Sequence, residues 1–215
     1  MKRLPLIALI ATCACAGAAA TPPATTPTPS GDVDPVVVAD SIRQSFTDAD
    51  VEFMTGMIHH HAQALVMARM APTHGASGPI QTLTGRIING QKDEIALMQD
   101  WLQDRGQPVP DPEALGGHAM HGSDHALMPG MLTPEQMAEL DAARGPDFER
   151  LFLTFMIQHH QGAITMVDQL FDTYGAAQGD AIFKIASDIG ADQTSEIDRM
   201  QSMLRDMVFG TQGSS

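Results

Sequence analysis

Two segments hold the residues best suited to chemistry in this 215-residue chain. Residues 57–68 read MIHHHAQALVMA and residues 156–167 read MIQHHQGAITMV. Phe53/Phe152, Thr55/Thr154, Met57/Met156, Ile58/Ile157, His60/His159, His61/His160, Ala64/Ala163 and Met67/Met166 coincide at a constant offset of 99 residues. Neutral imidazole and thioether sulfur together suit a soft ion, Cu(I) and by extension Ag(I). Thioethers keep their affinity in acid. Histidines must be neutral to bind, so their contribution is expected to fade below the ordinary imidazole pKa of about 6.5.

On a helical wheel of about 100° per residue, Asp50, Phe53, Met54, Met57, His60, His61, Ala64 and Met67 share one stripe, and His59 falls opposite, toward solvent. The second copy replaces His59 by Gln158 and keeps the inward pair, and Glu149 stands where Asp50 stands. Downstream, QKDEIALMQDWL (91–102) is echoed by QTSEIDRMQSML (193–204). That pattern sets Gln91 and Glu94, and Gln193 and Glu196, on the same faces as apolar residues. Buried charge is costly unless paired or metal-bound.

Three readings of this stripe stay open. Glu94 and Glu196 could simply accept hydrogen bonds from the histidines in a satisfied polar layer. The His/Met set could bind a soft ion through Met57, His60, His61, Met67, Met156, His159, His160 and Met166. Asp50, Glu94, Glu149 and Glu196 could join the histidines, either orienting them by hydrogen bonds or ligating directly as carboxylates, in a ferritin-like di-iron or di-manganese site. The Glu-x-x-His pairs typical of such sites are missing. Fifteen methionines is a high count. Met98, Met137, Met203 and Met207, at helical spacing, read as core filler. His118, Met120, His121, His125, Met128 and Met131 instead occupy a Gly/Pro-rich stretch that no core requires, where a flexible run could wrap a soft ion.

Helical periodicity dominates and strand-like alternation is rare. Main helices are expected over 47–71, 80–105, 146–174 and 179–208, with short ones over 36–45 and 133–143. Thr133-Pro134-Glu135-Gln136 is a helix start with cap, Pro and capping-box partner in place. Gly145-Pro146 separates that helix from the next. Asp48 and Asp147 sit where a carboxylate can cap a helix. The expectation is an all-α four-helix bundle made of two duplicated helical hairpins (46–106 and 145–208) within a domain 36–210, joined by the Met/His-rich loop. Neither hairpin could bury its apolar faces alone.

Residues 1–20 read as an export leader: Lys2 and Arg3, an apolar run from Leu4 to Ala11, then small residues. Ala14-Cys15-Ala16 fits a signal-peptidase site; Cys13 or Cys15 as a lipid-bearing cysteine is the competing reading. Both cysteines lie here, so the folded domain is expected to lack thiolate ligands and disulfides. Residues 21–35 are a Pro/Thr-rich tether. The formal charge of −14 argues against nucleic acid or anionic lipid as partners. Membrane contact is expected only through a lipid anchor, and the compartment is periplasmic or extracellular.

The residues Asp50, Phe53, Met57, Ile58, His60, His61 and Ala64, followed by Gln91, Glu94, Ile95, Met98, Trp101 and Leu102, resemble domain-of-unknown-function family 305 over about residues 46–208. The second copy departs with Glu149 for Asp50 and Met203 for Trp101. The resemblance implies a ferritin-like helical bundle, and the CopM-like members imply copper binding and copper resistance outside the cytoplasm. No nucleophile constellation, phosphate loop or dinucleotide motif is present. The expected function is therefore extracytoplasmic Cu(I) sequestration or transfer, extending to Cu(II) or Ag(I), with a copper-donor or acceptor protein as partner and no covalent catalysis. A di-metal oxidase or peroxide-handling enzyme and a purely structural bundle are the alternatives.

Overall fold

The computed structural model describes residues 46–113 and 128–210, all within one unit, Pro35–Ser215. The expected leader and tether, the helix expected over 36–45 and the stretch containing His118, Met120, His121 and His125 lie outside the described residues. Those described form helices α1 (Asp48–Arg69), α2 (Gly78–Asp104), α3 (Pro134–Ala142), α4 (Gly145–Asp172) and α5 (Asp180–Gly210), with no strand among them. Each main helix lies within three residues of its expected bounds.

The ends follow from local chemistry. Thr47, not Asp48, caps α1: its hydroxyl accepts from the Asp50 amide at 3.2 Å while Asp50 Oδ2 accepts from the Thr47 amide at 2.8 Å. Thr133 and Gln136 form the same box at the start of α3. Pro79 and Pro146 occupy the first turns of α2 and α4, where no amide proton is missed. Asp147 pairs with Arg150 at 3.8 Å instead of capping. His74, between α1 and α2, is a buried clamp that the sequence pattern did not single out. Its ring contacts the Asp141 carbonyl at 3.0 Å, and its own carbonyl accepts the Gly145 amide at 2.8 Å.

α1 packs on α2 and α4 on α5, and the hairpins join through α1 on α4 and α2 on α5, a four-helix bundle with α3 laid against α4. The interior divides into two apolar clusters. One holds Phe53, Met57, Ile95, Met98, Trp101, Met166, Leu170 and Ile189; the other holds Met67, Ile80, Ile87, Phe148, Phe152, Met156, Ile197 and Met200. Along every main helix the polar inward residues fall where one cluster gives way to the other: His60 and His61, Gln91 and Glu94, His159 and His160, Gln193 and Glu196. A polar layer thus crosses the bundle between two cores.

Candidate metal centre

All four inward histidines have no exposed surface. The His60 and His159 rings meet across the α1–α4 contact with centroids 3.8 Å apart and planes at 41°. His61 and His160 lie 6.4 Å and 6.2 Å from their chain neighbours and point toward the second helices. His61 Nε2 donates to Glu94 Oε2 at 2.7 Å, and His160 Nε2 donates to Glu196 Oε2 at 2.6 Å. Each carboxylate fixes its ring, as outer-shell partners of metal-binding histidines do.

His60 Nε2 donates to the Pro129 carbonyl at 3.0 Å. A carbonyl only accepts, so the proton sits on Nε2 and Nδ1 keeps its lone pair. Nδ1 of His60, His61 and His160 and both ring nitrogens of His159 are buried with no hydrogen-bond partner. One His159 nitrogen must carry a proton, and it approaches the His60 backbone carbonyl without forming a well-aligned bond, a shortfall that costs up to about 1–3 kcal/mol. Burial, reinforced by the neighbouring His61 and His160, lowers the His60 pKa to about 3. His159 is held well below 6.5 by burial and then by His60, His160 and His61. Both rings are neutral at ordinary pH, the state in which imidazole binds metal. This revises the expectation that acid near 6.5 would remove the histidines: for this pair, burial moves protonation far lower.

The carboxylates are otherwise engaged. Asp50 Oδ1 accepts from the Ala177 amide at 2.7 Å, and Glu149 Oε1 accepts from the Ser77 amide at 2.5 Å. The carboxylate on the first helix of each half therefore holds the hairpin turn of the other half. Among the described residues, no three His, Cys, Asp or Glu side chains are placed to hold one ion. The carboxylate-rich di-metal arrangement is not assembled among the described residues, so a soft ion at the four histidines would draw its further donors from thioether sulfur or the Met/His-rich stretch.

The thioethers flank the layer. Met57 and Met166 lie in one core cluster, Met67 and Met156 in the other, all buried. Met128 and Met131 are half-buried at the end of the Met/His-rich stretch. Met128 comes over Gly56: a Cβ placed there would lie 3.5 Å from Met128 Sδ and 3.3 Å from Met166 Cε. The other copy has Phe155 at this position, so the glycine makes room for two methionines. Met98 is fully buried core, while Met137, Met203 and Met207 border the second cluster.

Residues 128–132 form a strap over the histidine pair, a feature the sequence reading missed. Besides the His60 bond, Gln63 donates to the Leu132 carbonyl at 3.0 Å and accepts its amide at 2.8 Å. Gln158 Nε2 reaches the Gly130 carbonyl at 3.4 Å. Gly162, which stands where Gln63 stands in the other copy, lets the strap backbone touch α4. The mismatches Gln63/Gly162 and His59/Gln158 were the available signal. His59 departs from its expected solvent position. It is half-buried beside Val51, Thr55, Pro108 and Val109, because the chain after α2 folds back over it.

A mostly antiparallel helical bundle with this histidine layer defines the class, and comparison with known proteins supplies the family. The domain of unknown function DUF305 matches residues 50–204, and the chain belongs to that family. A DUF305 fragment from Deinococcus radiodurans is 30% identical with a TM-score of 0.63, covering 74% of this chain and 97% of its own. A DUF305 protein from Streptomyces coelicolor, named as secreted, is 25% identical with a TM-score of 0.62, covering 74% and 93%. CopM in its Cu(II)-bound form is 29% identical with a TM-score of 0.57, covering 73% and 96%. CopM structures with Cu(I) and with silver are each 27% identical at a TM-score of 0.55. No curated protein matches the chain.

Proposed function

We propose that this protein binds a soft metal ion, Cu(I) first and Ag(I) or Cu(II) with it, and sequesters or passes on that ion outside the cytoplasm. The observation that carries the reading is the pair His60 and His159: neutral imidazoles, fully buried, with three of their four ring nitrogens unpartnered. A purely structural layer would gain stability by pairing or replacing those nitrogens, whereas a metal-binding layer must leave lone pairs open. His61 and His160, oriented by Glu94 and Glu196, and Met57, Met67, Met156 and Met166 on either side supply further donors. Met128, Met131, His118, Met120, His121 and His125 would add ligands from the connecting stretch. The copper- and silver-bound CopM structures support this choice of ion. The secreted Streptomyces relative and the leader-like start support export, with the chain either released or lipid-anchored. A donor or acceptor protein for copper follows if the role is transfer.

The test is anaerobic Cu(I) titration against a coloured Cu(I) chelator, beside the His60→Gln/His159→Gln variant. Binding that weakens in the variant supports the histidine pair. Binding unchanged in the variant moves the ion to the 118–131 stretch or to His61 and His160. Failure to compete with the chelator sinks the copper reading.

A further inference from the structure

The histidine layer accounts for four imidazoles but leaves unexplained the glutamines beside it. Gln91 and Gln193 are 2% and 1% exposed. Both amide atoms of Gln91 and Oε1 of Gln193 have no hydrogen-bond partner. An unpaired buried amide costs free energy, so each such group calls for an unseen partner. Gln91 and Gln193 both line a single open cleft of about 330 Å³ between α2 and α5, together with Glu94, Glu196 and Asp192. Gln91 precedes Glu94 by three residues on α2, and Gln193 precedes Glu196 by three on α5, so each Gln/Glu pair projects from one helix face.

We propose that this cleft is a hard-cation site, distinct from the soft histidine layer, in which the Gln91 and Gln193 amide oxygens and the Glu94 and Glu196 carboxylates hold one divalent ion of the Ca²⁺, Mg²⁺ or Mn²⁺ class. Two carboxylates, two amide carbonyls and cleft water form the all-oxygen set such ions take, whereas Cu(I) prefers sulfur and imidazole. His61 and His160 each bond only Oε2 of their glutamate, and both glutamates line the cleft. Asp192 lines the same cleft and adds a third carboxylate beside Glu94 and Glu196. Arg86 and Arg199 border the cleft and offset two of its three carboxylate charges, so it takes no more than a single ion. The site stands whether or not the chain binds copper.

Mn²⁺ is the probe, because its free form is counted directly by electron paramagnetic resonance. The chelator-treated protein is titrated with Mn²⁺ beside Gln91→Leu/Gln193→Leu and Asp192→Asn. The expected result is one Mn²⁺ per chain with a dissociation constant on the order of 10⁻⁴ M, displaced by Ca²⁺ or Mg²⁺ and undisturbed by saturating Ag(I). The leucine pair should weaken binding at least tenfold while keeping or raising the melting temperature, since it removes unpaired amides. Asp192→Asn, on the cleft rim, should weaken it severalfold without touching the core. No Mn²⁺ bound at millimolar levels would mean the amides are merely hydrated and overturns the site. So would binding that survives the leucine pair, or that is lost in His60→Gln/His159→Gln.

Discussion

Gly162 and Gly130 meet backbone to backbone. A Cβ on Gly162 would stand 2.6 Å from the Gly130 Cα, with the Pro129 carbonyl nearer still. No side chain fits, so this position of α4 is glycine because the strap rests on it. The sign of a Gly162→Ala change discriminates. In a free helix face alanine stabilises by about 1 kcal/mol. Beneath a docked strap it must push the backbone away, costing about 1–3 kcal/mol and breaking the bonds from His60 and Gln63. Gly162→Ala should therefore lower the urea midpoint and speed hydrogen exchange at the Met131 and Leu132 amides. A raised midpoint would mean the strap does not rest there.

Burial of neutral histidines makes the metal-free protein acid-sensitive in a defined window. Unfolded, His60 and His159 take up protons near 6.5; folded, His60 resists to about 3 and His159 is likewise depressed. The unfolded state therefore binds more protons, and this contribution to stability is intact above pH 6.5 and falls as pH drops toward 3. Each histidine removes up to about 1.4 kcal/mol per pH unit within that window. Urea unfolding at pH 7 and pH 5 measures the slope. His60→Gln/His159→Gln should flatten it, and an unchanged slope would assign the acid sensitivity to other groups.

The bundle and its inward stripe were legible because period and repeat are local properties. A stripe of Phe53, Met57, His60, His61 and Ala64 that recurs intact in the second half has one consistent buried face, and all five residues are buried. His59 could not be placed the same way. Its burial depends on Pro108 and Val109, which reach it only through tertiary folding. Asp50 was legible as an inward carboxylate, but its bond to the Ala177 amide spans 127 residues. The strap escaped because its key acceptor, the Pro129 carbonyl, is backbone and leaves no residue-type signature.

Asp50 offers a test that separates structure from ligation. It completes the Thr47 capping box and holds Ala177, whose φ of 54° lies in the left-handed region. Asp50→Ala should cost about 2–4 kcal/mol by losing the carboxylate's return bond to the Thr47 amide and a charge-assisted bond to the buried Ala177 amide. Ala177→Gly should recover part of that by relieving the backbone, on the order of 1 kcal/mol. Cu(I) affinity measured on the folded fraction should stay within twofold in both. A large affinity loss in folded Asp50→Ala would restore the carboxylate as a ligand.

Met128 and Met166 converge over Gly56, bringing a thioether from the strap beside one from the core. If these sulfurs hold a soft ion, replacing them by leucine removes donors while nearly conserving volume, and stability should change by less than about 1.5 kcal/mol. The Met128→Leu/Met166→Leu variant should then weaken Cu(I) and Ag(I) binding at least tenfold, about 1.4 kcal/mol, and leave Mn²⁺ binding in the α2–α5 cleft unchanged. Chelator competition with each ion reads this out. Equal Cu(I) affinity in variant and parent would make both methionines packing residues. The soft donors would then have to be the histidines with Met57, Met67 or Met156.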